Sequence, residues 1–191
     1  MLFLCHHRDR PGSMGLRREL IEQHWAYMDR FADTMVARGP TFANDGTLTG
    51  SLHILDLEDP TAARAFAFDE PGYQAGTYRD VLLRRWHNSL GRTMWDFENA
   101  RPGRSRYLVL GFTFEPVEAT ELPEPNDLAA PEPLREDLIA SGPLLSDDSA
   151  VILGAAVLLE AADTSNARAV LSSDRYVGIE VHQWRFGGRP Q

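Results

Sequence analysis

The chain has 191 residues and a formal net charge of −9, and it contains no lysine, so its 19 fixed side-chain cations are all arginines. The absence of lysine excludes a Schiff-base lysine, covalently attached pyridoxal phosphate and a P-loop. An acidic chain without a basic run is also a poor candidate for nucleic-acid binding. The length accommodates one domain or two small ones.

Cysteine use and hydropathy bear on the compartment. Cys5 is the single cysteine, so no disulfide can form within the chain, as is typical of proteins in a reducing compartment. The N-terminal apolar stretch is short and has no basic residue ahead of it, and no apolar run is long enough to cross a bilayer. We therefore expect a soluble, cytoplasmic protein with no membrane partner.

The first half of the chain predicts the order strand, helix, strand, strand, helix, strand. Ser13 is a candidate N-cap for a long helix that Gly39-Pro40 ends, and Asp59-Pro60 begins a second helix. Asn44-Asp45-Gly46 predicts a tight turn between two strands. This order is that of the ferredoxin-like, or split βαβ, fold. The predicted strands are 2–7, 41–43, 50–57 and 81–86.

The motifs of the first half return in the second half in the same order. Gly39-Pro40 is repeated as Gly142-Pro143, and the nearly constant spacing indicates a tandem duplication. Prolines in 115–133 argue against a long helix there and favour an extended surface loop. The other elements predicted for the second half are strands at 107–114, 151–159 and 180–186 and helices at 134–140 and 164–171.

A ferredoxin-like sheet carries both helices on one face, so its other face needs a cover. Two copies can cover each other, and we expect an α+β fold in which two sheets stack through their bare faces within one chain. The expected units are 1–90, which carries the site, a linker at 91–105 that packs on the surface, and a degenerate second unit at 106–191. The sequence leaves open whether such pseudo-dimers pair again as a homodimer.

His24 is the first candidate for chemistry, because it lies on the apolar face of the predicted long helix. An imidazole there either bonds a backbone carbonyl in the core or faces a pocket. Asp9 follows the first strand within reach of that helix, and a His–Asp pair is the usual arrangement of a general acid/base. The alternative for Asp9 is a turn-capping role.

Further polar residues could contact a ligand. Arg17 precedes His24 on the same helix and suits an anionic substrate, although ion pairing within the protein is the alternative. Asp45 and Ser51 form a second candidate set, for which turn chemistry and local hydrogen bonds are the alternative. Cys5 and His7 share one face of a strand, but two ligands are too few, so no metal site is predicted.

In the order and spacing of its motifs the first half resembles the YCII-related (YciI-like) family. The resemblance implies a dimeric α/β barrel, here intramolecular, with a pocket between sheet and helices. It also implies a His–Asp pair at the active site, which corresponds to His24 and Asp9, and no cofactor. Arg17, Asp45, Ser51 and Tyr73 are the expected substrate contacts. The motifs are Asp9 to Ser13, Arg17, His24, Gly39-Pro40, Asp45-Gly46, Gly50-Ser51 and Asp69 to Tyr73.

The resemblance also suggests the kind of reaction. The family includes a dehydrochlorinase of chlorinated hydroxyquinones, and related barrels host muconolactone isomerases and small monooxygenases. No histidine lies between Tyr107 and Gly142, so one competent site is expected, in the first half. The prediction is a cofactor-independent lyase or isomerase acting on a cyclic or aromatic small molecule. The alternatives are a noncatalytic ligand-binding or regulatory module and a purely structural pairing module.

Overall fold

The computed structural model describes residues 1–98, 100–120, 136–171 and 175–189. These residues form a mixed α+β structure whose eight strands are all antiparallel. The strands are β1 (Leu2–Asp9), β2 (Met35–Phe42), β3 (Leu48–Asp56), β4 (Tyr78–Trp86), β5 (Ser105–Glu118), β6 (Leu138–Leu145), β7 (Val151–Ala161) and β8 (Tyr176–Trp184). The helices are α1 (Met14–Glu19), α2 (Ile21–Asp29), α3 (Pro60–Phe68), α4 (Pro71–Gln74) and α5 (Thr164–Arg168).

The strands close into a barrel in the order β1-β3-β2-β8-β5-β7-β6-β4. The first four strands lie in the order 4-1-3-2, and the last four lie in the matching order 8-5-7-6. Short ladders of two residue pairs each join the halves, β2 to β8 and β4 to β6. The architecture is consistent with the expected ferredoxin-like, dimeric α/β-barrel fold, and the sheets meet edge to edge as well as enclosing a common core.

The two Gly-Pro pairs lie at these edges. Arg185 N donates to Pro40 O at 3.2 Å, and His87 N donates to Pro143 O at the same distance. A Cβ on Gly39 would lie 1.9 Å from Arg185 O, and one on Gly142 would lie 1.7 Å from His87 O. Only glycine allows the backbones to approach this closely.

Alternating side chains divide the interior into a barrel core and outer clusters. Leu4, Leu52 and Leu108 belong to the barrel core, whereas Cys5 and Leu55 pack outside the barrel against α2 and α3. The segment between the halves contributes to the barrel core through Met94 and Phe97, while Trp95 is 51% exposed. The predicted linker therefore contributes part of the barrel core and does not only pack on the surface.

Some of the predicted elements are confirmed and others are corrected. Asp59 caps α3 by accepting from Ala62 N at 2.8 Å, as predicted. The predicted long helix is wrong beyond Asp29, because Met35 begins β2 and Gly39-Pro40 lies inside that strand. Ser13 precedes α1 but makes no side-chain capping bond. The helix predicted at 134–140 is wrong from residue 138 onward, which is strand β6, and residues 134 and 135 lie outside the described residues.

The predicted loop at 115–133 is also different where it can be compared. Residues 115–118 continue β5, and residues 121–133 lie outside the described residues. In the described part of the chain, every helix is too short or too polar to cross a membrane.

Candidate functional site

A cavity of about 420 Å³ lies between the first two helices and the outward face of β2 and β3. We name it the helix–sheet cavity. Its polar lining includes Arg17, His24, Ser51 and His53, and its apolar lining includes Trp25 and Met28. A concave site of this size with a few convergent polar groups is typical of small-molecule binding.

His24, on α2, is paired with a buried carboxylate. Its Nδ1–H donates to Glu70 Oε1 at 2.9 Å, since an ionised carboxylate can only accept. The side chain of His24 is 16% exposed and that of Glu70 is 0% exposed. Because Nδ1 is engaged, Nε2 is the ring nitrogen left for a ligand.

Local sequence fixes Glu70. It is the N-cap of α4, with Pro71 in the first turn, and its Oε2 accepts from Tyr73 N at 2.8 Å. A Cβ on Gly72 would lie 2.9 Å from Glu70 Oε2 and 2.9 Å from Tyr78 Oη. The glycine therefore leaves the room that the carboxylate and the phenol occupy.

The electrostatics keep Glu70 ionised. Burial would raise the pKa of Glu70, but the hydrogen bond and charge of His24 and the backbone N–H of Gly72 outweigh it and lower the pKa to about 2. Burial raises the pKa of Tyr78, and the neighbouring Glu70 carboxylate raises it further. Tyr78 therefore stays a neutral phenol beside this carboxylate.

Arg17, on α1, forms the second polar group of the site. Its guanidinium donates to Asp9 Oδ1 and to Ser51 Oγ, each at 2.5 Å. It also lies 5.6 Å from the centroid of the Tyr78 ring, which links it to the His24–Glu70 group. Burial raises the pKa of Asp9 despite the opposing effect of Arg17. These partners hold the arginine in one orientation.

His53 lies at the back of the cavity, with its ring centroid 5.8 Å from that of His24. Burial, reinforced by the charge of His24, lowers the pKa of His53 well below its ordinary value, so the ring is neutral. Its Nδ1 is buried and has no hydrogen-bond partner among the described residues. His7 lies deeper, and its Nε2 donates to Ala67 O at 2.8 Å. Of these two rings, His53 is the one that lines the helix–sheet cavity.

The structure brings together some of the predicted site residues and separates others. Arg17 and Ser51 line the cavity with His24, but Asp9 is bonded to Arg17 and forms no described hydrogen bond with His24. Asp45 is exposed in the β2–β3 turn, where its carboxylate accepts from Thr47 N at 2.9 Å. Tyr73 is 38% exposed and packs against Phe68, and neither it nor Asp45 lines the helix–sheet cavity.

Sequence reasoning missed Glu70, His53 and Tyr78. A signal for Glu70 existed in the run Glu70-Pro71-Gly72, because an acid before proline is typical of an N-cap and the glycine makes room for its carboxylate. Ser51 and His53 are two residues apart on β3, so their side chains point to the same, outward face of the strand. No local pattern predicts the contact of Tyr78 with Glu70.

The C-terminal segment of the second half closes one side of the cavity. Phe186, Gly187, Gly188 and Arg189 all line it. Gly187 N donates to Arg38 O at 3.0 Å. Arg189 bonds Glu22 on α2 at 2.8 Å and lies 5.4 Å from the centroid of the Trp25 ring. The site in the first half therefore has a wall from the second.

The matching face of the second half is apolar. The registers of β1–β3 and β5–β7 place Ala155 where Ser51 lies and Val157 where His53 lies, when Gly154 is matched with Gly50. Ala155 and Val157 belong to a cluster of buried apolar residues. Within the ranges that the structure describes, no three His, Cys, Asp or Glu side chains are grouped so as to hold a metal ion.

Comparison with known proteins finds a family similarity in the first part of the chain. Residues 1–87 match the YCII-related domain family. The comparison with curated proteins found no match. Among solved structures, 5-chloro-2-hydroxyhydroquinone dehydrochlorinase from Burkholderia phenoliruptrix, in complex with 2,5-dihydroxybenzoquinone, is 29% identical, with 48% of this chain and 99% of that chain covered and a TM-score of 0.44.

Two longer structures align with nearly the whole chain. A candidate monooxygenase from Lactobacillus acidophilus is 7% identical, covers 96% of this chain and 92% of its own, and has a TM-score of 0.46. A candidate monooxygenase from Fusobacterium nucleatum is 8% identical, covers 97% of this chain and 91% of its own, and has a TM-score of 0.48.

Proposed function

We propose that the protein is a small-molecule enzyme of the lyase or isomerase type, in which His24 transfers a proton through Nε2. The observation that supports this most directly is the bond from His24 Nδ1–H to the buried carboxylate of Glu70 at the wall of a cavity. Neutral His24 then presents a basic Nε2, and the protonated ring presents an acidic Nε2–H. An ionised Glu70 fixes the tautomer and stabilises the imidazolium.

In this proposal Arg17 binds the substrate and Asp9 positions Arg17. A guanidinium held by Asp9 and Ser51 offers its remaining N–H groups to a phenolate, enolate or carboxylate oxygen. Negative charge that develops on such an oxygen, when a proton leaves the neighbouring carbon, would be stabilised there. The acid/base pair is thus His24 with Glu70, and the predicted partner Asp9 acts through Arg17.

His24→Gln tests the proposal. With lactones and chlorinated hydroxyquinols, the substrate types to which the family resemblance leads, we expect turnover by the wild type and a loss of about 10²–10⁴-fold in His24→Gln. His87→Gln, which changes a histidine outside the cavity, is the matched control and should keep full activity. Substrate stabilisation that persists in His24→Gln without any wild-type turnover would favour a noncatalytic binding module instead.

We further propose that the chain is a tandem duplication, with units at 1–90 and 106–191 and a linker at 91–105. Its support is the matching strand orders and the reciprocal contacts of Gly39 with Arg185 and of Gly142 with His87. An experimental structure tests this by superposition of β1–β4 on β5–β8. Gly50 should fall on Gly154, and an offset by one residue would refute the duplication.

A further inference from the structure

The barrel is polar at the end where β1 stops. Leu4 lies in the barrel core, and by strand alternation His6 and Arg8 face the same side. Arg8 donates to Glu180 Oε2 at 2.9 Å and to Asp80 Oδ1 at 3.3 Å. His182 Nε2, which is next to Glu180 on the same strand face, lies 3.2 Å from the same Glu180 oxygen. An ionic group here costs desolvation energy that a fully apolar barrel would not.

Two polar atoms in this group have no partner. His6 is fully buried, and its Nε2 bonds Thr41 Oγ1 at 3.2 Å, but its Nδ1 is unpartnered among the described residues. Arg8 Nε is likewise buried without a described partner. Because buried polar atoms in folded proteins are nearly always hydrogen-bonded, the polar end of the barrel is typical of a site that a ligand or ordered water completes.

A second cavity reaches this group from outside. It measures about 610 Å³ and is lined by residues from the end of β1, the β2–β3 hairpin and β8, including Arg8 and His182. We name it the barrel-mouth cavity. Arg10 and Arg79 also line it, and Met14 and Phe42 contribute apolar surface. The volume lies in the range of small-molecule sites.

The charges around the cavity favour an anion. Arg79 forms an ion pair with Asp80 at 2.7 Å, and Arg8 forms ion pairs with both Asp80 and Glu180. Arg10 forms no ion pair with a described residue. The described lining and its ion-pair partners thus combine three arginines with two carboxylates, while Asp9 is neutralised by Arg17. A guanidinium matches the geometry of a carboxylate or a phosphate.

We propose that the barrel-mouth cavity is a second small-molecule site, which adjoins the helix–sheet cavity and shares Met14 and Leu48 with it. It binds an organic anion with one carboxylate or phosphate head group and an apolar ring. The head group lies against Arg10, Arg79 and His182, and the ring packs on Phe42 and Met14. This assignment does not depend on the reaction proposed for His24.

Benzoate and phenyl phosphate test the proposal because they share a ring and differ in the head group. Each is titrated by calorimetry into the full chain, with benzyl alcohol as the neutral control. We expect at least one anion to bind and benzyl alcohol not to bind. Binding of phenyl phosphate alone identifies a phosphate site, and binding of benzoate alone identifies a carboxylate site.

Variants locate the binding. The double variant Arg10→Gln/Arg79→Gln changes two exposed side chains and should raise the Kd about tenfold or more. Ala43→Trp fills the cavity with every charge in place and should abolish binding. Arg18→Gln, which removes an exposed arginine from the helix–sheet cavity, is the matched control and should leave the Kd unchanged.

Three results would overturn the assignment. The first is that neither anion binds at about 10 mM, a concentration about ten times a Kd of 1 mM. The second is that Arg10→Gln/Arg79→Gln and Ala43→Trp, both with unchanged circular dichroism, bind the anion as the wild type does. The third is that Arg18→Gln weakens binding as much as Arg10→Gln/Arg79→Gln does. This result would assign the anion to the helix–sheet cavity or to general charge attraction.

Discussion

Replacing Glu70 by glutamine should destabilise the protein in a pH-dependent way. The fall of the Glu70 pKa from 4.5 to about 2 corresponds to about 3 kcal/mol in favour of the folded, ionised form. Glutamine has nearly the same size, and its oxygen can still accept from Tyr73 N, so the substitution removes the charge and the oxygen that accepts from His24 Nδ1–H. At pH 7 we expect the free energy of unfolding to fall by about 3 kcal/mol and Tm by about 6–12 °C.

The pH dependence gives this prediction its specificity. Because the folded pKa is lower than the unfolded one, the contribution is complete above the ordinary pKa of 4.5 and is lost as the pH falls through about 2. The difference between wild type and Glu70→Gln should therefore shrink by about half between pH 7 and pH 3. Urea unfolding at several pH values, read by circular dichroism, measures it.

Glu22→Gln is the matched control for this experiment. Glu22 is 70% exposed and bonds Arg189, so its loss should cost less than about 1 kcal/mol. If Glu70→Gln costs no more than Glu22→Gln, or if its cost is the same at pH 7 and pH 3, the carboxylate of Glu70 does not stabilise the fold by its charge.

Two further predictions concern the surroundings of the helix–sheet cavity. Gly72→Ala should lower both Tm and the activity, because its Cβ would lie 2.9 Å from Glu70 Oε2. Gly15→Ala is the control, because Gly15 has open space around it in α1, and it should be neutral or stabilising by about 0.5–1 kcal/mol. Equal effects of the two variants on Tm would contradict the steric argument. Arg189→Ala should change Tm by only about 2–4 °C, because the ion pairs of Arg189 are exposed. It should nevertheless raise KM severalfold, because Arg189 is part of the C-terminal wall of the cavity. An unchanged KM in steady-state assays would show that this wall does not contact the substrate.

Local chemistry predicted the elements whose signals are local. Asp59-Pro60 began α3 as expected, because capping and the fixed φ of proline act within one turn. Gly39 was misread as a helix end because its role is a close approach to Arg185, about which nearby residues carry no information. Likewise, Leu138 to Ala140 suit a helix locally, but all of β6 is buried in the sheet, and tertiary packing overrides propensity.

In the candidate site, too, some residues were predicted from the sequence and others were not. His24, Arg17 and Ser51 were predicted from residue type and position, and the structure gathers them in one cavity. The carboxylate that was predicted to pair with His24 is Asp9, whereas the carboxylate that bonds His24 in the structure is that of Glu70, the N-cap of α4. Pairing over that sequence distance depends on how the helices cross the strands, which the sequence alone did not give in this case.

The wall that Phe186 to Arg189 add to the cavity has a consequence for variation in the second half. The second half has no histidine that corresponds to His24, but it is still under constraint, since a shift of β8 would move one wall of the cavity in the first half. Damaging substitutions there should mimic active-site lesions although they lie a hundred or more residues downstream of His24 in the polypeptide. Inherited or engineered changes in the C-terminal strand should therefore be screened by ligand affinity as well as by yield.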